Sequence, residues 1–153
     1  MSLEQVWDLC VERFQPNATA RSDHYYRLEQ MVQDLLLAGV CCEIWLDGSI
    51  LTEKAEPADL DVTIIVDQDV YEALTPQQNT ILTQMRDGVY AEKVDSFMFV
   101  RFRRENPNYG AEGIDAAFDW GEQYGKETGG QWTKGFAILR LRETDVGLLI
   151  HRR

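Results

Sequence analysis

The sequence predicts an α/β (α+β) fold, a small mixed β-sheet flanked by helices, in one domain over residues 1–153. Three observations lead there. The 153 residues are 44% apolar, enough for one ordinary core and too few for two. Two early stretches place apolar residues at helical spacing. Three later ones, each bounded by turn residues, are β-prone or alternate between apolar and polar. Aromatic residues make up 10% of the chain, a load that only a folded protein can bury.

The elements follow in order. Ser2 is placed to cap a helix over Leu3–Phe14, in which Val6, Leu9 and Cys10 share a face before Pro16 and Asn17 close it. Ser22 or Asp23 opens a second helix, with Leu28, Met31, Val32, Leu35 and Leu36 inward and Gly39 as the C-terminal stop. Val40–Leu46 reads as a strand running into the turn Asp47-Gly48-Ser49, with Asp47 a turn residue and Ile50–Ala55 one helical turn. Asp59–Asp67 is the next strand, with Leu60, Val62, Ile64 and Val66 on one face and Asp59, Asp61, Thr63 and Ile65 on the other. Val70–Gly88 fits either one helix kinked at Pro76 or a turn and then a helix over Gln77–Arg86. Lys93–Arg103 alternates as a third strand and places Asp95 near its start. Beyond it, a helix over Ile114–Tyr124, a loop at Gly129-Gly130 and a closing pair of strands, Phe136–Arg142 and Val146–His151, complete the expected elements.

Composition excludes several function classes. The net charge of −11 repels a phosphate polymer and argues against general DNA binding. No apolar run reaches the roughly 20 residues needed to span a bilayer. Glu4, Asp8 and Glu12 stand where a secretory leader needs positive charge, so the cytoplasm is the expected location. The three cysteines, Cys10, Cys41 and Cys42, suit neither a disulfide framework nor a CxxC metal site and are expected to be reduced, buried thiols. His24 and His151 have no partner at zinc-ligand spacing, and Ser49 has no paired His to make it a nucleophile. Gly121–Lys126 is one residue short of a phosphate loop and follows no apolar strand.

The informative feature is a set of polar groups at strand ends: Gly48 and Ser49, Asp59 and Asp61, and Asp95. Residues i and i+2 of a strand point the same way, roughly 6.5–7 Å apart, so Asp59 and Asp61 can converge on metal ions about 4 Å from each other. Asp95 on a neighbouring strand could complete an all-oxygen cage of the kind that suits Mg²⁺. Gly48 lets a backbone approach closely, and Ser49 offers a hydroxyl and an amide to a phosphate. Read singly, Asp59, Asp61 and Asp95 also fit solvent-facing residues on half-exposed strands, and Lys54 fits an exposed loop lysine as well as a phosphate ligand. Arg101, Arg103, Arg104, Lys134, Arg140, Arg142, Arg152 and Arg153 suit solvated strand edges better than a binding patch. Trp7, Trp45, Trp120 and Trp132 suit core or interface positions.

Leu46-Asp47-Gly48-Ser49, nine further residues, Asp59-Leu60-Asp61-Val62 and then Asp95 together resemble the signature of the nucleotidyltransferase superfamily of the DNA polymerase beta type. The wording is most similar to small bacterial nucleotidyltransferase-like domains, and the resemblance covers about residues 28–102, leaving 103–153 as an extension. It implies that Gly48 and Ser49 hold the β and γ phosphates of a nucleoside triphosphate. It further implies that Asp59 and Asp61 bind two Mg²⁺ ions, or Mn²⁺ in their place, and that Asp95 binds one of them while activating the attacking hydroxyl. The implied reaction transfers a nucleoside monophosphate to a hydroxyl of a protein, RNA or small-molecule acceptor and releases pyrophosphate. Ile50-Leu51-Thr52 departs from the Arg-Gly pair that follows the Gly-Ser in the antitoxin members. An antitoxin modifying a partner toxin, and a non-catalytic nucleotide- or protein-binding domain of the same fold, are the alternatives.

Overall fold

A computed structural model describes residues 1–109 and 135–150. The first helix, α1 (Leu3–Cys10), starts at Ser2, whose hydroxyl accepts from the Gln5 amide while the Gln5 side chain accepts from the Ser2 amide. This reciprocal cap satisfies two otherwise orphaned donors. The predicted helix over Leu3–Phe14 breaks at Val11, which leaves helical geometry, and resumes as a 3₁₀ turn over Glu12–Phe14.

The second helix, α2 (Thr19–Ala38), begins earlier than the predicted Ser22 or Asp23. Its first turns bury Arg21 and His24, polar residues that an apolar pattern does not flag. Gly39 ends it as expected, at φ 75°, with its amide donating back to α2.

Strand β1 (Cys42–Asp47) follows, then a 3₁₀ turn over Gly48–Leu51 that begins two residues before the predicted Ile50. Asp47 is the last residue of β1 and is buried, a correction to its reading as a turn residue. Strand β2 (Leu60–Asp67) starts one residue after Asp59. Of the two readings of Val70–Gly88, the second is closer. A short helix α3 (Gln68–Glu72) precedes α4 (Pro76–Arg86), with Thr75 as its cap and Pro76 in its first turn, where the missing N–H costs nothing. Strand β3 (Val94–Arg101) closes this β-α-β crossover beside β2.

The sheet order is β3-β2-β1-β4, with β4 formed by Ala137–Leu141. β2 runs parallel to β3, while β1 runs antiparallel to both β2 and β4. Among the described residues the fold is thus a mixed four-stranded sheet with helices, as the sequence predicts. The expected closing pair of strands is not formed. β4 pairs with β1, Glu143–Asp145 is a 3₁₀ turn, and residues 146–150 lie along α2, where the Gly147 amide donates to Leu36 O and Gln33 bonds Leu148 and Ile150. The expected helix over Ile114–Tyr124, the Gly129-Gly130 loop, Gly121–Lys126, Trp120, Trp132, Lys134, His151, Arg152 and Arg153 lie outside the described residues.

Strand alternation divides the sheet into two faces. Ile44, Leu46, Leu60, Val62, Ile64, Val66 and Leu139 join Val6, Leu28, Met31, Leu35 and Met85 of the helices in one core. Burial of this kind stabilises by about 25 cal/mol per Å² of apolar surface. The pairing register puts Glu43, Trp45, Asp47, Asp61, Thr63, Ile65, Asp95, Phe97, Phe99 and Arg101 on the opposite face. At one end of that face Glu43 accepts from Trp45 Nε1 (2.9 Å), Arg101 Nη2 (2.8 Å) and Arg140 Nε (2.9 Å). Arg101 also pairs with Asp67, and Arg103 with Asp69. These three arginines are therefore engaged in the fold's own ion pairs. No helix among the described residues is long and apolar enough to cross a membrane.

Candidate functional site

The other end of the same face carries the acids. Asp61 faces Asp47 across the antiparallel ladder and Asp95 across the parallel one, so Asp47, Asp61 and Asp95 form one rung over three strands. Neighbouring strands lie about 4.8 Å apart, and like charges placed directly opposite each other are destabilising unless something neutralises them. The three differ in exposure: Asp47 is buried, Asp61 half-buried and Asp95 exposed.

The turn sits against this rung. Gly48 has φ +79°, and a Cβ built on it would fall 1.7 Å from Asp61 Oδ2 and 2.7 Å from its Cγ. The Asp61 carboxylate thus fills the space that any side chain at position 48 would enter, which ties the glycine and the acid to each other. Next in the chain, the Ser49 hydroxyl oxygen is shielded from solvent and has no hydrogen-bond partner among the described residues. A shielded hydroxyl left unsatisfied costs roughly 1–3 kcal/mol.

Of the sequence-predicted site residues, Gly48, Ser49, Asp61 and Asp95 are brought to one end of one sheet face. Asp59 is half-buried in the bend just before β2, outside the ladder that aligns Asp61 with Asp95. Lys54 is exposed on the loop between the 3₁₀ turn and β2. Among the described residues no three Asp, Glu, His or Cys side chains are grouped as a ready-made metal cage. The donor set of the rung is nonetheless all oxygen, as a hard divalent ion requires.

Two residues that sequence reasoning did not single out for the site position its loop. Arg21 Nη1 donates to the carbonyls of Cys10 (3.0 Å) and Ile50 (2.7 Å), and Nη2 to those of Thr52 (2.6 Å) and Lys54. The Phe14 ring covers the guanidinium carbon at 3.5 Å. His24 Nε2 lies 3.1 Å from Pro57 O, a hydrogen bond that gives this buried histidine a structural role. The only hint in the sequence is that Arg21 and His24 stand on the same helical face as Leu28. Separately, a polar cleft of about 720 Å³ opens between α2 and the loop before β3, lined by Tyr26, Arg27, Asp34 and Tyr90 among others. None of the predicted site residues lines it.

The described residues form a small α+β fold in which Asp47, Asp61 and Asp95 share one rung at one end of a sheet face. The chain belongs to a family of unknown function, DUF6932, whose model matches residues 1–140. No curated protein and no solved structure matches it.

Proposed function

We propose that the protein is a cytoplasmic, Mg²⁺-dependent nucleotidyltransferase that moves a nucleoside monophosphate from a nucleoside triphosphate to a hydroxyl acceptor. One observation carries the reading. Asp61 and Asp95 are register neighbours on one sheet face, and the Asp61 carboxylate is pressed against the Gly48 turn. The Ser49 hydroxyl, unpartnered among the described residues, adds a donor on the same turn.

In this reading Asp61 and Asp95 hold the divalent ions, with Asp59 reaching in from the bend before β2. Asp95, the most exposed of the three, receives the proton of the attacking hydroxyl. Gly48 and Ser49 meet the phosphates of the leaving pyrophosphate, with Lys54 on the loop beyond them. The bound ions supply charge stabilisation at the entering and leaving oxygens. A net charge of −11 makes such ions the natural bridge to a polyanionic substrate.

The test is incubation with α-labelled triphosphates, Mg²⁺ and host lysate, beside an Asp61→Asn/Asp95→Asn variant. Label passing to a macromolecule or small molecule only with the parent chain supports the transferase and names its acceptor class. Equal labelling by both rejects this active site. A second reading is a domain of the same fold that binds nucleotide without catalysis. It predicts metal-nucleotide binding with no pyrophosphate release from any acceptor.

A further inference from the structure

Arg21 is fully buried, yet the groups it holds are not acids. Its hydrogen bonds all run to backbone carbonyls, and among the described residues it forms no ion pair with a carboxylate. Three of those carbonyls, Ile50, Thr52 and Lys54, belong to the segment that leaves the Gly48-Ser49 turn. In a trans peptide plane the C=O and the next N–H point in opposite directions. Drawing the carbonyls of Thr52 and Lys54 inward onto Arg21 therefore turns the N–H groups of Glu53 and Ala55, both exposed residues, away from it. The loop's partial positive ends face out, and a full positive charge stands behind them.

We infer that Arg21 is a positioning residue for phosphate. From beneath the loop it fixes the segment from Thr52 to Ala55 so that the N–H groups of Glu53 and Ala55 face outward, suited to a polyphosphate chain, while the amides of Thr52 and Lys54 are taken up inside the loop by Ser49 O and Thr52 Oγ1. The inference rests on the nucleotidyltransferase reading and adds to it the residue that shapes the anion side of the site. Backbone amides in this arrangement are a general means of holding phosphate oxygens. The guanidinium fork suits the task because one planar group reaches several carbonyls at once, which a lysine ammonium does with poorer geometry.

The experiment measures binding of two probes, Mn²⁺ alone and Mg²⁺-pyrophosphate, by calorimetry on the full chain and on Arg21→Lys and Arg21→Met. Mn²⁺ reports the carboxylates, and pyrophosphate reports the loop. The expected result is pyrophosphate binding weakened by about tenfold in Arg21→Lys and further in Arg21→Met, the scale of losing a charge-assisted hydrogen bond. Mn²⁺ affinity stays within about twofold, which a general loss of structure would not allow. Should neither Arg21 variant fold, Phe14→Leu removes the ring that covers the guanidinium and carries the same test. It weakens pyrophosphate several-fold with Mn²⁺ unchanged. A parent chain that binds both probes, with variants that bind pyrophosphate as tightly, overturns the role of Arg21 and leaves the transferase reading standing. A parent chain that binds neither probe overturns both.

Discussion

The Asp61 carboxylate occupies the space into which a side chain on Gly48 would grow. An acid on β2 and a glycine after β1, 13 positions apart in the numbering, are thereby one structural unit. Gly48→Ala therefore displaces the carboxylate and places a Cβ in left-handed backbone, at a cost of about 1–2 kcal/mol. Urea denaturation is expected to show that loss, and Mn²⁺ binding is expected to weaken with it. A variant as stable as the parent, with unchanged metal affinity, contradicts the coupling.

Glu43 makes the opposite end of the sheet face sensitive to acid. Burial alone would push its carboxyl up, but hydrogen bonds from Trp45, Arg101 and Arg140 outweigh burial and hold it below the usual carboxylate range. A carboxyl lowered by folding stabilises above its unfolded pKa, and that contribution is lost as pH falls through the folded value. Glu43→Gln is therefore expected to lower the unfolding free energy at pH 7 by an amount of order 1 kcal/mol. The gap between parent and variant should begin to close below the ordinary value of 4.5. A gap that widens on acidification reverses the predicted sign.

The cysteines are free, as the sequence suggests, but unequal. Burial pushes the Cys10 thiol up to about 11 despite Arg21 nearby, and burial with Cys41 and Glu43 alongside pushes Cys42 up to about 12. Cys41 is only half-buried, a correction to the expectation that all three are buried, and its thiol is raised by burial, Glu143 and Asp145. At pH 8 a maleimide or iodoacetamide should modify Cys41 slowly and leave Cys10 and Cys42 intact until urea unfolds the chain. Mass spectrometry of the native protein showing rapid labelling at Cys10 or Cys42 would refute this.

Much of the fold was legible because local chemistry and burial agree. Ser2 and Gly39 mark helix ends through capping that needs only neighbouring residues. Leu60, Val62, Ile64 and Val66 of β2 point inward as read, although Ile65 on the other face is buried as well. The misses arise where tertiary context overrides the local signal. Asp47 looks like a turn residue beside Gly48, yet its pairing with Asp61 extends β1 by one position. The start of α2 hides because Arg21 and His24 bury polar heads against carbonyls, which no hydrophobic pattern predicts. Val146–Ile150 is apolar enough for a strand, but β4 already pairs with β1, and this segment bonds to α2 instead. Among the candidate site residues, spacing picked out Gly48, Ser49, Asp61 and Asp95, which the fold brings to one end of one sheet face. The register that aligns Asp61 with Asp95 depends on the β-α-β crossover and is visible only in the folded sheet.

Core packing gives a prediction independent of function. Ile64 is fully buried at the centre of β2, between β1 and β3 and beneath the helices. Ile64→Ala is expected to cost about 2–5 kcal/mol, since both transferred surface and a residual cavity are lost. Equilibrium denaturation with no change in midpoint would place Ile64 outside the core.

The most direct test of the proposed site is Mn²⁺ titration of the full chain, followed by electron paramagnetic resonance, for the parent, Asp61→Asn and Asp95→Asn. Saturable binding by the parent, lost in Asp61→Asn and weakened in Asp95→Asn while both variants keep the parent's circular dichroism, is the expected result. Parent and variants binding Mn²⁺ alike, or the parent binding none, would contradict the claim that this acid rung beside Gly48 is a divalent-ion site.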